Sequence, residues 1–372
     1  MRIVIPRESV AGERRTSATP ETVKKMIRLG AEVAIESGAG AAVGFDDSIY
    51  AELGAEIVAD RAALLGSADM VLRLRKPEPD EIGMMKSGCI HVSYLDPFNE
   101  RDLIKTLADK GITAISMEMI PRSTRSQKMD ALSSQANLAG YVAVMLAAAQ
   151  LPRIFPMLMT PAGTLKPAKV FIIGAGVAGL QAIATAKRLG ARVTAFDTRP
   201  VVAEQVRSLG GKFLEIDLGD TGQTSDGYAK ELTPEQVEIQ RQAQKDVIAD
   251  SDVVITTAQV FGRKPPVLVT KDMVEGMAPG SVIVDMAAET GGNVEGSVPD
   301  ETVVVDGVTI VGTANLANEV AKDASQMYAS NLFNLVEDTW GYGSAEVCSR
   351  YGERYFTGLC HHARWSGGSP HY

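Results

Sequence analysis

The chain has 372 residues, a length that predicts two packed domains at about 100–200 residues each. With 45% hydrophobic and 22% charged residues, its composition is that of a soluble globular protein. The net charge of −9 argues against a nucleic-acid partner, because nucleic-acid-binding domains carry a basic face. Cys89, Cys348 and Cys360 have neither metal-ligand nor disulfide spacing, so we expect no metal site and a reducing, cytoplasmic location.

The sequence also predicts that the chain has no direct membrane insertion. Its N-terminus leads straight into a strand-like run, without a signal-peptide pattern. The most apolar helical stretch, Leu138–Leu151, is shorter than the roughly 20 residues that span a bilayer. Any membrane role is therefore expected to come through a partner.

The first third of the chain predicts alternating strands and helices. Buried strands are expected at the apolar, β-branched runs Ile3–Ile5, Val33–Ile35, Met70–Leu74, Ile90–Tyr94 and Thr113–Met117. Thr19 as N-cap, Pro20 in the first position and Gly30 after the last turn mark one helix. Asn99 is expected to cap another helix that ends near Gly111. Short strands alternating with helices predict a mostly parallel sheet.

A second α/β unit begins near Ala168. Its predicted strands are Val170–Ile173, Val193–Phe196, Phe213–Ile216, Val253–Thr257, Val282–Asp285, Val303–Val305 and Thr309–Val311. Helices around Asn137–Gln150 and Asn315–Val336 look like connectors between units. We therefore expect an α/β fold of two Rossmann-like domains with mostly parallel sheets and a cleft between them. One domain comprises residues 1–135 plus 320–372, and the second Rossmann-like domain comprises residues 140–315.

A G-x-G-x-x-G motif follows the first strand of the second unit and opens a helix. Its residues are Gly174, Ala175, Gly176, Val177, Ala178 and Gly179. The three glycines suit a tight turn, close approach of a pyrophosphate, and helix–strand packing, respectively. Free N–H groups at the helix start then bind the phosphates. The alternative is a glycine turn in an α/β domain that binds no ligand.

The next strand ends in Asp197, followed by Thr198 and Arg199. A carboxylate about 20 residues after the motif binds the adenosine ribose of NAD and repels a 2′-phosphate. Arg199 weakens this argument, because a nearby arginine accommodates the 2′-phosphate of NADP. We assign the specificity to the strand-end carboxylate and predict NAD(H).

Other loops at strand ends are expected to line the nicotinamide side of the same site. Candidates there are Ala258, Gly262 and Glu289, although each loop is as readily an ordinary connection. The polar stretch 217–232, with Gly227 and Tyr228, is predicted to be a lid over the cofactor. Its alternative is a surface loop.

Residues 118–141, EMIPRSTRSQKMDALSSQANLAGY, closely resemble the NAD(H)-binding subunit of proton-translocating nicotinamide nucleotide transhydrogenases. So do GAGVAGLQAIATAKR from Gly174 and GYAKE from Gly227, and the resemblance extends over residues 1–335. It implies that Arg122, Gln127 and Asp130, with Ser133 close by, reach the nicotinamide. The alternative interpretation is a helix N-cap cluster. After about Asp338 the sequence departs from the family pattern, which puts C-terminal packing in doubt.

The resemblance further implies a homodimer that is peripheral to the cytoplasmic membrane. Its partners would be membrane-spanning transhydrogenase subunits and a component that holds NADP(H). Hydride transfer between NAD(H) and NADP(H) would be coupled to proton translocation.

Alanine dehydrogenase and its lysine-pathway relatives also resemble the chain. Where those enzymes carry a catalytic lysine and histidine, this sequence has Arg75 and Asp96, with Lys76 one residue off, although it keeps their substrate-binding arginine as Arg15. Oxidising an amino acid requires a general base, whereas hydride transfer between two nicotinamides requires none. His91, the one histidine outside the C-terminal tail, is interpreted as a satisfied strand residue. A stand-alone amino-acid dehydrogenase of the alanine or saccharopine type and a non-catalytic NAD(H)-sensing module stay open as alternatives.

Overall fold

The computed structural model describes residues 1–121, 123–216, 233–259 and 262–341. These residues form two compact units. Unit 1 comprises Met1–Gln135 and the chain from Val320, and unit 2 comprises Ala136–Glu319. The chain therefore completes unit 2 between two segments of unit 1.

Unit 1 is built on a parallel sheet. Its strands are β1 (Arg2–Ile5), β2 (Glu32–Glu36), β3 (Glu56–Val58), β4 (Met70–Leu72), β5 (Ile90–Ser93) and β6 (Thr113–Ser116). They pair in the order β3-β2-β1-β4-β5-β6, the order of Rossmann-type sheets. The helices between them are α1 (Pro20–Arg28), α2 (Asp47–Glu52), α3 (Arg61–Ser67), α4 (Pro79–Met84) and α5 (Arg101–Asp109).

The predicted start of α1 is confirmed, whereas the predicted N-cap of α5 is wrong. Thr19 caps α1 by accepting a hydrogen bond from the Thr22 amide, and Pro20 occupies the first position. Gly30 follows the helix with a φ of +91°, a conformation that glycine adopts without strain. The residue that caps α5 is Glu100 instead of Asn99. The Asn99 amide is used elsewhere, since it donates to the Asp96 carboxylate at 3.0 Å.

Helix α6 (Ala131–Gln150) connects the two units and is longer than predicted. It begins at Ala131 instead of Leu138, so its 20 residues reach the length of a membrane-spanning helix. The prediction that this helix is too short to span a bilayer was therefore wrong. Its surroundings are mixed: Val142, Ala143, Val144 and Ala147 are buried, but Tyr141 and Met145 are 40% and 38% exposed, and 39% of the span is buried. Length and composition alone therefore make α6 only weak evidence for a membrane span.

Unit 2 contains a larger sheet and a separate hairpin. The hairpin is formed by β7 (Leu158–Thr160) and β8 (Gly163–Leu165). The sheet strands are β9 (Lys169–Ile173), β10 (Arg192–Phe196), β11 (Lys212–Phe213), β12 (Val253–Thr256), β13 (Val282–Asp285), β14 (Thr302–Val305) and β15 (Val308–Val311). Their order is β11-β10-β9-β12-β13-β15-β14, parallel except for the antiparallel β14–β15 pair. The helices are α7 (Val177–Arg188), α8 (Ala203–Ser208), α9 (Pro234–Ala249) and α10 (Lys271–Glu275).

Helix α11 (Ala321–Thr339) returns the chain to unit 1. Tyr328, Leu332 and Leu335 on this helix are buried in the same apolar cluster as Ile3 and Ile5 of β1. The described C-terminal segment therefore completes the core of unit 1. The strands and helices confirm the predicted α/β fold class with mostly parallel sheets.

Candidate functional site

The glycine loop lies between β9 and α7, and its three glycines meet different surroundings. Gly174 has a φ of +101°, and a Cβ added there would lie 2.4 Å from the Thr257 hydroxyl oxygen. A Cβ added to Gly179 would lie 1.9 Å from the Gly174 carbonyl oxygen. A Cβ added to Gly176 would meet no protein atom within 4 Å. Protein packing therefore demands the first and third glycines, whereas the second leaves the backbone open to a ligand.

The loop leads into the N-terminus of α7, with Gly176 as the N-cap residue. The first four N–H groups of an α-helix have no partner within the helix, and the helix dipole favours an anion there. Ala178 is buried in the first turn, where its backbone leaves no room for a Cβ on Gly140 of α6, which would lie 2.2 Å from the Ala178 oxygen. This close packing fixes the start of α7 and hence the direction of its N–H groups. The arrangement fits a pyrophosphate.

Asp197 follows β10 and lies against the glycine loop. Its side chain is only 8% exposed and accepts a hydrogen bond from the Ala175 amide at 2.8 Å. It also forms an ion pair with Arg199, whose Nε lies 2.9 Å from Oδ1. The structure therefore brings together the glycine loop and the carboxylate predicted to recognise ribose, with Arg199 bonded directly to that carboxylate.

Buried polar groups shape the loops after β12 and β13. The Thr257 hydroxyl lies 3.1 Å from the Gly174 carbonyl oxygen, to which it donates. Asp285, which is fully buried, accepts hydrogen bonds from the Thr256 hydroxyl at 3.2 Å and the Asn293 amide at 3.0 Å. The Asn293 side chain in turn donates to the Ala258 carbonyl oxygen at 3.1 Å. These bonds hold the predicted cofactor loops in place.

The scaffold role of Asp285 and Asn293 was not predicted from the sequence. The signal for it was a charged residue at the end of an otherwise apolar strand, which burial obliges to find hydrogen-bond donors. Glu289, predicted to face the cofactor, is exposed, and Gly262 has a φ of +71°. Gly227 and Tyr228, with the whole predicted lid, lie outside the described residues.

In unit 1, the loop before α6 contains the residues implied to reach the nicotinamide. Gln127 is exposed in a short 3-10 turn, Gln127–Met129. Asp130 accepts hydrogen bonds from the Ser133 amide at 2.9 Å and the Ser133 hydroxyl at 2.6 Å. These contacts are those of a helix cap, the alternative interpretation of this loop. Arg122 lies outside the described residues.

Arg15 and Arg75, at positions that matter in amino-acid dehydrogenases, both bind Glu13. Arg15 is 5% exposed and donates to Glu13 through Nε and Nη2 and to Gln135 through Nη1. The Arg75 Nε lies 2.9 Å from the Glu13 carboxylate. Burial opposes ionisation of Glu13, but bonds to Arg15 and the charges of both arginines outweigh it and lower its pKa to about 2. Arg15 therefore has a structural role in this network.

Neither Asp96 nor His91 is placed as a general base. Asp96 has a φ of +47° and accepts a hydrogen bond from the Asn99 side chain. His91 is fully buried, and burial, assisted by the charge of Arg73, lowers its pKa to about 3. Its Nε2 lies 3.1 Å from the Ser93 hydroxyl, but its Nδ1 has no partner among the residues that the structure describes. The interpretation of His91 as a satisfied residue is therefore only half right.

Two family models together cover most of the chain. The model "Alanine dehydrogenase/PNT, N-terminal domain" matches residues 4–139, and "Alanine dehydrogenase/PNT, C-terminal domain" matches residues 143–351. The chain belongs to the alanine dehydrogenase/PNT family. The second match extends through α11, although that helix packs in unit 1.

Within this family the chain is more similar to transhydrogenase subunits than to dehydrogenases. It is 46% identical over 343 residues to the first portion of the NAD(P) transhydrogenase alpha subunit of Rhodospirillum rubrum, covering 90% of this chain and 89% of that protein. Alanine dehydrogenase of Bacillus subtilis is 34% identical over 298 residues, covering 79% and 72%. The crystal structure of a transhydrogenase from Sinorhizobium meliloti is 43% identical, with a TM-score of 0.82, covering 91% of this chain and 94% of that one.

Proposed function

We propose that this chain is the NAD(H)-binding subunit of a proton-translocating transhydrogenase. It is an oxidoreductase that acts only with partner subunits, and it moves a hydride between NAD(H) and NADP(H). The observation that carries the proposal is a complete dinucleotide loop, with Asp197 bonded to Ala175, in a family member whose dehydrogenase acid–base positions hold Arg75 and Asp96.

The residues around the glycine loop divide the work of binding. The N–H groups at the start of α7 hold the pyrophosphate, and Asp197 accepts the adenosine ribose hydroxyls. NAD(H), when bound, supplies or receives the hydride. By family resemblance, Arg122, Gln127 and Asp130, with Ser133, orient the nicotinamide and its ribose. Gly227 and Tyr228 belong to the proposed lid, which excludes water.

Hydride transfer between two nicotinamides requires the protein to orient the cofactors rather than to act as an acid or a base. A hydride that passes between two nicotinamide rings leaves no proton for the protein to remove. An arginine at position 75 is permanently protonated and cannot serve as a base. Burial separates His91 from any substrate. These features favour transhydrogenation over oxidation of an amino acid.

The partners follow from the same assignment. A component that holds NADP(H) and membrane-spanning subunits that carry the proton path complete the enzyme, with this chain peripheral to the membrane on the cytoplasmic side. A second copy of this chain is its other partner. Support comes from the β7–β8 hairpin, where Leu158, Met159 and Leu165 are 46%, 72% and 54% exposed. An exposed apolar hairpin of this kind marks a protein–protein contact.

Cofactor binding and turnover by the chain without partners test this assignment against a stand-alone dehydrogenase. NADH fluorescence is titrated with the purified chain, which is then incubated with NAD⁺ and alanine or saccharopine. We expect NADH to bind and neither amino acid to yield NADH. Steady NADH production from either one would make the chain a complete amino-acid dehydrogenase and overturn the proposal.

A further inference from the structure

The Asp197 carboxylate is fully engaged within unit 2. Oδ1 accepts from the Arg199 amide at 2.8 Å and from Arg199 Nε at 2.9 Å. Oδ2 accepts from the Ala175 amide at 2.8 Å and from Arg199 Nη2 at 2.9 Å. A carboxylate has about four lone-pair sites, two on each oxygen. All of them are occupied by these four donors.

The four donors differ in how readily a ligand can displace them from Asp197. The amides of Ala175 and Arg199 belong to the backbone of two tight turns. The other two donors form the guanidinium fork of Arg199, whose side chain is 19% exposed. That fork takes one site on each carboxylate oxygen. A ribose diol that binds with both hydroxyls to one carboxylate requires the same two sites.

We propose that Arg199 is a specificity-determining residue that competes with the adenosine ribose for Asp197. This inference rests on the proposed NAD(H) site. Binding of the diol displaces the guanidinium from Asp197. The loss of this ion pair therefore offsets part of the favourable free energy of the ribose–Asp197 interaction. The ion pair therefore weakens NAD(H) binding, which favours release of the cofactor after each transfer.

The same geometry gives Arg199 a second property. While Asp197 is ionised, it holds the guanidinium and repels a 2′-phosphate. A neutral residue at position 197 removes both the ion pair and the repulsion, and the Arg199 guanidinium can then pair with that phosphate, because arginine matches phosphate geometry with two donors. Arg199 is therefore a potential binding group for the 2′-phosphate of NADP(H), and the ion pair with Asp197 keeps it from that role.

Direct binding to the full chain tests the competition. NADH affinity is measured by fluorescence titration for the wild type and Arg199→Gln, with Arg207→Gln as control, since Arg207 is an exposed arginine in unit 2 that pairs with Glu215. ADP and 2′,3′-dideoxy-ADP are compared as competitors, because the dideoxy compound has no hydroxyls to present to Asp197. We expect Arg199→Gln to lower the dissociation constants of NADH and ADP about 3- to 10-fold. It should leave that of dideoxy-ADP unchanged, and the control should match the wild type.

The second property is tested with NADPH. Asp197→Asn is expected to bind NADPH more tightly than the wild type does, and the double variant Asp197→Asn/Arg199→Gln is expected to lose that gain. NADH binding that is unchanged or weaker in Arg199→Gln, with Asp197→Asn still weakening NADH, would overturn the competition and leave the NAD(H) site standing. A wild-type chain that binds no NADH would overturn both.

Discussion

Gly179 lies so close to Gly174 that a Cβ added to it would stand 1.9 Å from the Gly174 carbonyl oxygen. Gly176, between them, has room for a Cβ on the protein side, with no atom within 4 Å. One motif thus contains a glycine that the packing of the fold requires and a glycine that this packing does not require. The difference between them can be measured.

Gly179→Ala is expected to reduce the free energy of unfolding by about 1–3 kcal/mol, because the methyl group overpacks the turn. Gly176→Ala is expected to leave stability within about 0.5 kcal/mol of the wild type, since its methyl group meets no protein atom. The same substitution should weaken NADH binding at least 10-fold. Urea unfolding and NADH titration of both variants give the two values. Wild-type affinity in Gly176→Ala would show that no phosphate approaches this backbone.

Burial of His91 makes stability depend on pH. The neutral form persists in the folded state, where its pKa is about 3, whereas the unfolded chain takes up a proton as the pH falls below about 6.5. The unfolded state therefore binds more protons between these values, and stability falls with falling pH, by about 2 kcal/mol from pH 7.5 to pH 5. In His91→Leu that part of the slope should vanish in urea unfolding at both pH values. Equal slopes in both proteins would contradict this prediction.

Two substitutions of Asp130 separate its role as the cap of α6 from its proposed role in orienting the cofactor. Asp130→Ala removes both bonds to Ser133 and is expected to cost about 1 kcal/mol of stability. Asp130→Asn keeps an acceptor for the cap, so most of that stability should remain, but it removes the charge. If Asp130 orients the cofactor, hydride transfer with the partner subunits falls in both variants. A rate that falls only with stability would make Asp130 a cap and nothing more.

The β7–β8 hairpin is expected to hold two copies of the chain together. Met159→Asp places a charge on the exposed apolar hairpin and should convert a dimer into a monomer in sedimentation experiments. Val304→Asp is the matched control, because Val304 is 67% exposed on the edge strand β14 of the same unit and should not affect assembly. A dimer that survives Met159→Asp, or a wild-type monomer, would remove the hairpin from the interface.

Features set by near neighbours in sequence were predictable. Thr19 and Pro20 mark the start of α1, and the strand Val282–Asp285 was predicted with its observed bounds. Helix α9 was missed although Thr233 and Gln236 form a capping box that announces its start.

Contacts between distant parts of the chain left no local signal. The Arg15 guanidinium bonds to Gln135, which is 120 residues away, and nothing in the sequence around Arg15 points to that partner. The Asp197–Arg199 pair is local in sequence, but the sequence shows only two opposite charges. How the four bonds divide between the two oxygens depends on the path of the loop after β10.

Restored hydride transfer tests the central claim most directly. The purified chain is added to membranes that contain the other transhydrogenase subunits and lack this one, and transfer from NADPH to an NAD⁺ analogue is followed. The account predicts a rate that appears only on mixing and falls in Gln127→Asn. No transfer, despite demonstrated NADH binding and docking to the membranes, would contradict it and leave the chain as a sensor of NAD(H).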